Sequence, residues 1–315
     1  MTWRPVLTLC LVAPFLGEVL STATSPVQLM MPWNLVLFVA LYGAGALLCR
    51  ETAFRWGLGL PGLALLGAAY GVYEEAVVDR FWFDPEYARN TGVGDYAEVW
   101  HTNLLLATHL TTFHAAVSVC SSVLLVTWLF PADRDRAWVG TRGLIVAASA
   151  MVLVLFLTWE DHVQPPRGPV LVALAVGALF VAMARLTRGL AHATRSPARP
   201  GRPRSLGIVA FVCTGAHFIL VYAVPSTGLP WPAGLAVALA PIGLGVLAVR
   251  RWSTTGPLGR DGLWIVTGIL GFFVVLAALV GLGGRYDLSV GAVLAALGLG
   301  WLHRRVANLD VDSPP

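Results

Sequence analysis

Long apolar stretches alternate with short polar segments along the whole chain. A helix rises about 1.5 Å per residue, so roughly 20 mainly apolar residues cross the ~30 Å hydrocarbon core of a bilayer. Stretches near 5–22, 29–48, 57–78, 99–130, 143–159, 168–186, 206–224, 231–249, 263–283 and 287–302 have this character. The expected fold is all-α, a polytopic transmembrane bundle of about ten spans. The first stretch, led by Trp3 and Arg4 and trailed by the small residues 21–25, has the outline of a secretory signal. A single positive charge precedes it and Glu18 interrupts it, so it reads as the first helix.

Composition excludes a water-soluble fold. Of 315 residues, 57% are apolar and 12% charged, against about 25% charged in ordinary soluble domains. The lipid bilayer is therefore the first expected partner, and no nucleic acid is expected. Cys10, Cys49, Cys120 and Cys213 fall in or beside the spans without a CxxC pair and read as small apolar residues.

Charge sets the expected orientation. All 21 basic residues are arginine, and on the ten-span reading 17 fall on one side and only Arg80, Arg89, Arg167 and Arg285 on the other. The positive-inside rule turns the 17 toward the cytoplasm, with both termini cytoplasmic in a multi-pass plasma-membrane protein. The Pro- and Arg-rich stretch 191–205 reads as a cytoplasmic linker between a six-helix segment, 1–190, and a four-helix segment, 206–315.

Ionisable residues inside spans are costly, which makes them candidates for function. Here they gather toward the outer ends: Glu18 in the first span, Glu74 and Glu75 in the third, His101, His109 and His114 in the fourth, and His217 in the seventh. The stretch 67–75 joins a Gly67-x-x-x-Gly71 face, which admits a close neighbouring helix, to the paired acids. Adjacent glutamates stand ~100° apart on an α-helix, so one is expected to face a site and the other a partner or the headgroups. Two close carboxylates raise each other's affinity for protons, which suits Glu74 or Glu75 to general acid or base work. By helical phase the three histidines of the fourth span cannot share one ion. His109 with His217 and an acid from the third helix is the most economical metal site, with zinc-like chemistry, and a simple hydrogen bond between helices is the alternative for each histidine. The aromatic loop 79–98 is expected to rest at the interface as a lid or belt.

Glu74-Glu75-x-x-x-x-Arg80 followed by Leu105-x-x-x-His109 resembles the CAAX-processing and bacteriocin-processing intramembrane metalloproteases, whose pattern is Glu-Glu-x-x-x-Arg and then Phe-x-x-x-His. This chain has one extra residue in the first motif and leucine for phenylalanine in the second. The resemblance implies that Glu74 or Glu75 activates water and that His109 and His217 take part in the site. The chain as a whole is also similar to uncharacterised prokaryotic polytopic membrane proteins. The functional expectation is a membrane-embedded metal-dependent hydrolase acting on a small molecule or peptide. A secondary transporter and a non-catalytic scaffold are the alternatives.

Overall fold

The computed structural model describes residues 2–189 and 202–311, with side chains up to 306. Nearly all of it is helix, with one two-residue hairpin, Glu98–Val99 against Thr102–Asn103. We number the long helices α1 (Trp3–Leu20), α2 (Pro32–Trp56), α3 (Leu60–Val72, continued by Tyr73–Val78), α4 (Leu104–Leu129), α5 (Thr141–Leu157), α6 (Arg167–Leu186), α7 (Pro203–Thr227), α8 (Trp231–Trp252), α9 (Arg260–Leu282) and α10 (Tyr286–Val311). Eight are long and apolar enough to cross a bilayer; α5 is shorter, at 17 residues, and α3 carries Glu74 and Glu75. The protein is a polytopic helical membrane bundle. The expected linker lies outside the described residues up to residue 201, and α7 begins at Pro203.

Burial separates an inner group of helices from an outer one. In the most apolar window of α4, 61% of residues are buried, against 17% in α6 and α8. Helices α1 to α4 pack on one another, α5 lies against α2, and α6 lies against α3. Helices α7 to α10 form a second group that reaches α1 and α4 mainly through α9 and α10. The outer helices present Ile145, Phe156, Leu171, Leu244 and Leu297 outward. In water such a surface would drive aggregation, whereas lipid tails solvate it.

The α3–α4 contact follows from the glycine spacing. A Cβ on Gly67 would stand 3.0 Å from Ala115 Cα, and one on Gly71 would stand 3.1 Å from Thr111 Cα and 3.0 Å from His114 Cβ. The two backbones meet along this small-residue face, as expected, and His114 is the side chain seated against it.

Two expectations fail at the start of α4. The helix begins at Leu104, capped by Asn103 Oδ1, which accepts a hydrogen bond from the Leu106 N–H at 3.0 Å. An asparagine cap satisfies an otherwise orphaned amide, so it fixes the helix start five residues later than the apolar pattern implied. His101 therefore lies in the exposed hairpin turn, with a left-handed backbone (φ 59°), outside the span.

The loop 79–103 folds into a compact cap. Phe81–Phe83 and Pro85–Asn90 are short helices, Phe81 stacks on Tyr87 with centroids 4.0 Å apart, and Trp82 and Phe83 are buried against Val72, Ala76, Leu105 and Leu106. Arg80 pairs with neither Glu74 nor Glu75. Its guanidinium lies over Trp159 and donates to the Trp159 and Val163 carbonyls at 3.2 and 3.1 Å. Burial, with Arg80 beside it, holds the His162 imidazole below its usual range, so its 3.7 Å approach to Asp79 is not an ion pair at neutral pH. Glu160 and Asp161 are exposed in the 158–166 turn.

Candidate functional site

All four inner helices change their winding at one level of the bundle. Phe15–Leu20 in α1, Val39–Gly43 in α2, Tyr73–Val78 in α3 and His114–Ser121 in α4 are π-helical. Such i→i+5 turns are rare and gather at functional sites, because they loosen the backbone ladder and re-aim side chains. Each segment here delivers a polar side chain to one cluster: Glu18, Tyr42, Glu74 with Glu75, and His114 with Ser118.

His114 is the hub. Its Nε2 lies 2.7 Å from Glu75 Oε1, and its Nδ1 lies 3.0 Å from Ser118 Oγ and 2.9 Å from Glu74 Oε2. The Glu74 contact is off the line that a hydrogen bond needs, so both Glu74 oxygens, like Glu75 Oε2, are buried without a hydrogen-bond donor. The expectation that the two glutamates point apart is overturned. Their π-helical turn and long side chains bring both carboxylates to the same imidazole, one at each nitrogen.

Tyrosines wall the cluster. The rings of Tyr42 and Tyr70 each stand 5.9 Å from that of His114, and Tyr42 donates to Glu18 Oε1 at 2.7 Å. Thr24 donates to Glu18 Oε2. Gly17 makes room for Tyr42, because a Cβ there would strike the tyrosine ring. Glu74, Glu75 and His114 are 0%, 4% and 2% exposed, whereas Glu18 is half-buried.

His109 and His217 meet each other instead of the acids. His109 Nδ1 lies 3.0 Å from His217 Nε2, and His217 Nδ1 lies 2.8 Å from the Ala238 carbonyl. A carbonyl only accepts, so His217 Nδ1 carries a proton; its Nε2 then accepts from His109 Nδ1–H, and His109 Nε2 faces the Tyr222 hydroxyl at 3.4 Å. Every ring nitrogen of this pair has a protein partner, and an ion would have to displace one.

The cluster of Glu74, Glu75 and His114 is the arrangement suited to a cation. One ligand atom from each residue falls within 4.8 Å of the others, and among the described residues no other group of three His, Cys, Asp or Glu side chains does so. Two carboxylates and an imidazole are a donor set that divalent zinc-like ions accept. Unneutralised carboxylates at this burial would be strongly unfavourable, so protons or a cation must offset them.

A second buried charge group lies at the opposite end of α2 and was missed in the apolar pattern. Glu51 is fully buried, pairs with Arg50, and accepts from the Trp138 N–H at 2.9 Å, while Arg50 donates to the Arg134 and Arg136 carbonyls at 2.9 and 2.8 Å and stacks over Trp138. These bonds tie the 130–140 loop to α2. The adjacency of Arg50 and Glu51 at a helix end was the available signal.

No curated protein and no solved structure matches the chain. A family model does match, over residues 7–282, and it carries no protease assignment. That range holds all four π-helical segments and every side chain of the Glu/His cluster, and by it the chain belongs to an uncharacterized membrane protein family.

Proposed function

We propose that Glu74, Glu75 and His114 hold one divalent, zinc-like cation, and that the protein uses it as a membrane-embedded hydrolase of a small-molecule or peptide substrate. The observation that carries the reading is the converging set of three buried ligand atoms in which both Glu74 oxygens lack a donor. A cation there would neutralise the carboxylates and acidify a bound water. With one Glu74 oxygen on the cation, the second would be the group to accept that water's proton. The arginine asymmetry supports a topology with both termini cytoplasmic, which puts the site in the outer half of the membrane under the cap.

The cap supplies the means of access. Arg80, Ala97, Trp100 and His101 all hold left-handed backbones, a conformation that costs non-glycine residues about 1 kcal/mol or more each and that collects at functional sites. Opening 79–103 would relieve that strain and admit water and substrate to the outer ends of α3 and α4.

Closure of the site favours a second reading, proton- or cation-coupled transport, in which the same carboxylates exchange their cation alternately with each side. Reconstituted protein tested on a panel of fluorogenic ester and peptide substrates separates the two. The hydrolase reading expects turnover that a chelator abolishes, with Glu74→Gln weakening metal retention and losing at least about 100-fold in rate. Turnover indifferent to chelation would contradict it, and no turnover with pH-driven solute uptake lost in Glu74→Gln would replace it with the transporter.

A further inference from the structure

We infer that Tyr70 belongs to the working set of the cation centre: its neutral hydroxyl donates a hydrogen bond to the non-protein oxygen that fills the cation's open position, and so suits the site to small oxyanions. The inference rests on the cation reading of the Glu74, Glu75 and His114 cluster. Tyr70 is 4% exposed, and its ring stands 5.9 Å from that of His114 and 6.3 Å from that of Tyr42. A Cβ on Gly45 would lie 2.1 Å from Tyr70 Cε2, so the ring is seated on α2 where glycine leaves it room.

The hydroxyl at the end of this seated ring has no hydrogen-bond partner, and among the described residues it is the only buried tyrosine hydroxyl left so. Tyr42, Tyr73 and Tyr222 are committed elsewhere. Tyr42 donates to Glu18 Oε1 at 2.7 Å, Tyr73 donates to the Met151 carbonyl at 2.8 Å, and the Tyr222 hydroxyl faces His109 Nε2 at 3.4 Å. Tyr70 lies beside the Glu74 carboxylate, the strongest charge acting on it, without forming a hydrogen bond to it. Both Glu74 oxygens and Glu75 Oε2 are orphaned in the same way, so one donor and three acceptors without partners share a single buried place.

A buried phenol without a partner costs free energy that phenylalanine in the same seat would not. The hydroxyl is an unused donor until the site is filled. A cation held by Glu74, Glu75 and His114 leaves a coordination position for an exogenous oxygen. An anionic oxygen there receives the Tyr70 hydrogen where water is excluded, the setting in which a fixed donor acts most strongly. In hydrolysis the water's proton goes to Glu74 and its oxygen bonds to the acyl carbon. The carbonyl π electrons move onto the carbonyl oxygen, and Tyr70 hydrogen-bonds that oxygen while keeping its own proton. The ligand class is a small oxyanion, of which formate is the simplest.

Cobalt(II), a coloured stand-in for zinc, tests this in the full-length protein in detergent, with formate as the probe and the visible spectrum of the cobalt as the readout. Wild type should bind cobalt and then formate. Tyr70→Phe should bind cobalt with the same affinity and spectrum, and should bind formate about tenfold or more weakly, because a hydrogen bond to a charged oxygen is gone. 3-Fluorotyrosine at position 70, a stronger donor of nearly the same shape, should tighten formate, and it reads the donor in a protein of unaltered packing. Wild-type formate affinity in either variant, or no formate binding in cobalt-loaded wild type, would overturn the inference and leave the metal centre standing. Loss of cobalt in a folded Tyr70→Phe would make the phenol a ligand, which overturns the donor role as well. Wild type that binds no cobalt would remove the cation reading itself, and the donor role with it.

Discussion

Glu75 and His114 meet at 2.7 Å across the α3–α4 contact, where neither side chain reaches solvent. Two helices must approach closely for this, and Gly71, against the Cβ of His114, is what allows it. Gly71→Val should therefore push α4 away and move His114 from the glutamates. Overpacking of this kind costs roughly 1–3 kcal/mol, so a lower thermal midpoint together with reduced metal retention is expected. A variant with wild-type midpoint and metal content would show that the close approach does not position the site.

His109 provides the contrast. It binds His217 and faces Tyr222, and it contacts no carboxylate. His109→Ala should keep full metal content while leaving His217 Nε2 buried and unpaired, at a cost of about 1–3 kcal/mol. Metal analysis alongside thermal unfolding in detergent checks both halves, and loss of metal in this variant would return His109 to the ligand set.

Glu51 is expected to matter for stability alone. Removing it leaves Arg50 in the interior without its ion-pair partner, which costs about 3–5 kcal/mol for a buried pair. Glu51→Ala should unfold at markedly lower temperature, and what remains folded should bind metal as wild type does.

The spans were legible in the sequence because a bilayer demands long apolar runs, and each expected stretch overlaps one of the long helices. The Gly67 and Gly71 face was legible for the same reason, since helices in lipid approach through small residues. The partner of Glu74 and Glu75 was not. Helical phase with a uniform α-turn separated the two glutamates and singled out His109, whereas π-turns at 73–78 and 114–121 redirect the side chains toward His114. No residue pattern announces such a turn. Asn103 did announce the true start of α4, as a side-chain cap before an apolar run, and it would have removed His101 from the span. Tyr42 and Tyr70 joined the cluster unannounced, because an aromatic residue in an apolar helix is ordinarily a core or interface residue.

Orientation is open to direct test. Reporter fusions after Arg142, Arg204 and Arg260 should report cytoplasm, and fusions after Arg89 and Arg167 should report the exterior. Reversal at any two of these sites would contradict the topology and turn the cap and the Glu/His cluster toward the cytoplasm.

The central claim is that Glu74, Glu75 and His114 form a metal centre, and the metal content of purified protein tests it most directly. Full-length wild type prepared without chelator should carry one divalent ion per chain by elemental analysis. His114→Ala should carry none above background and should still elute as a monodisperse, folded species. Wild type without stoichiometric metal after supply of zinc, manganese and iron(II), or a folded His114→Ala that binds metal as wild type does, would contradict the account.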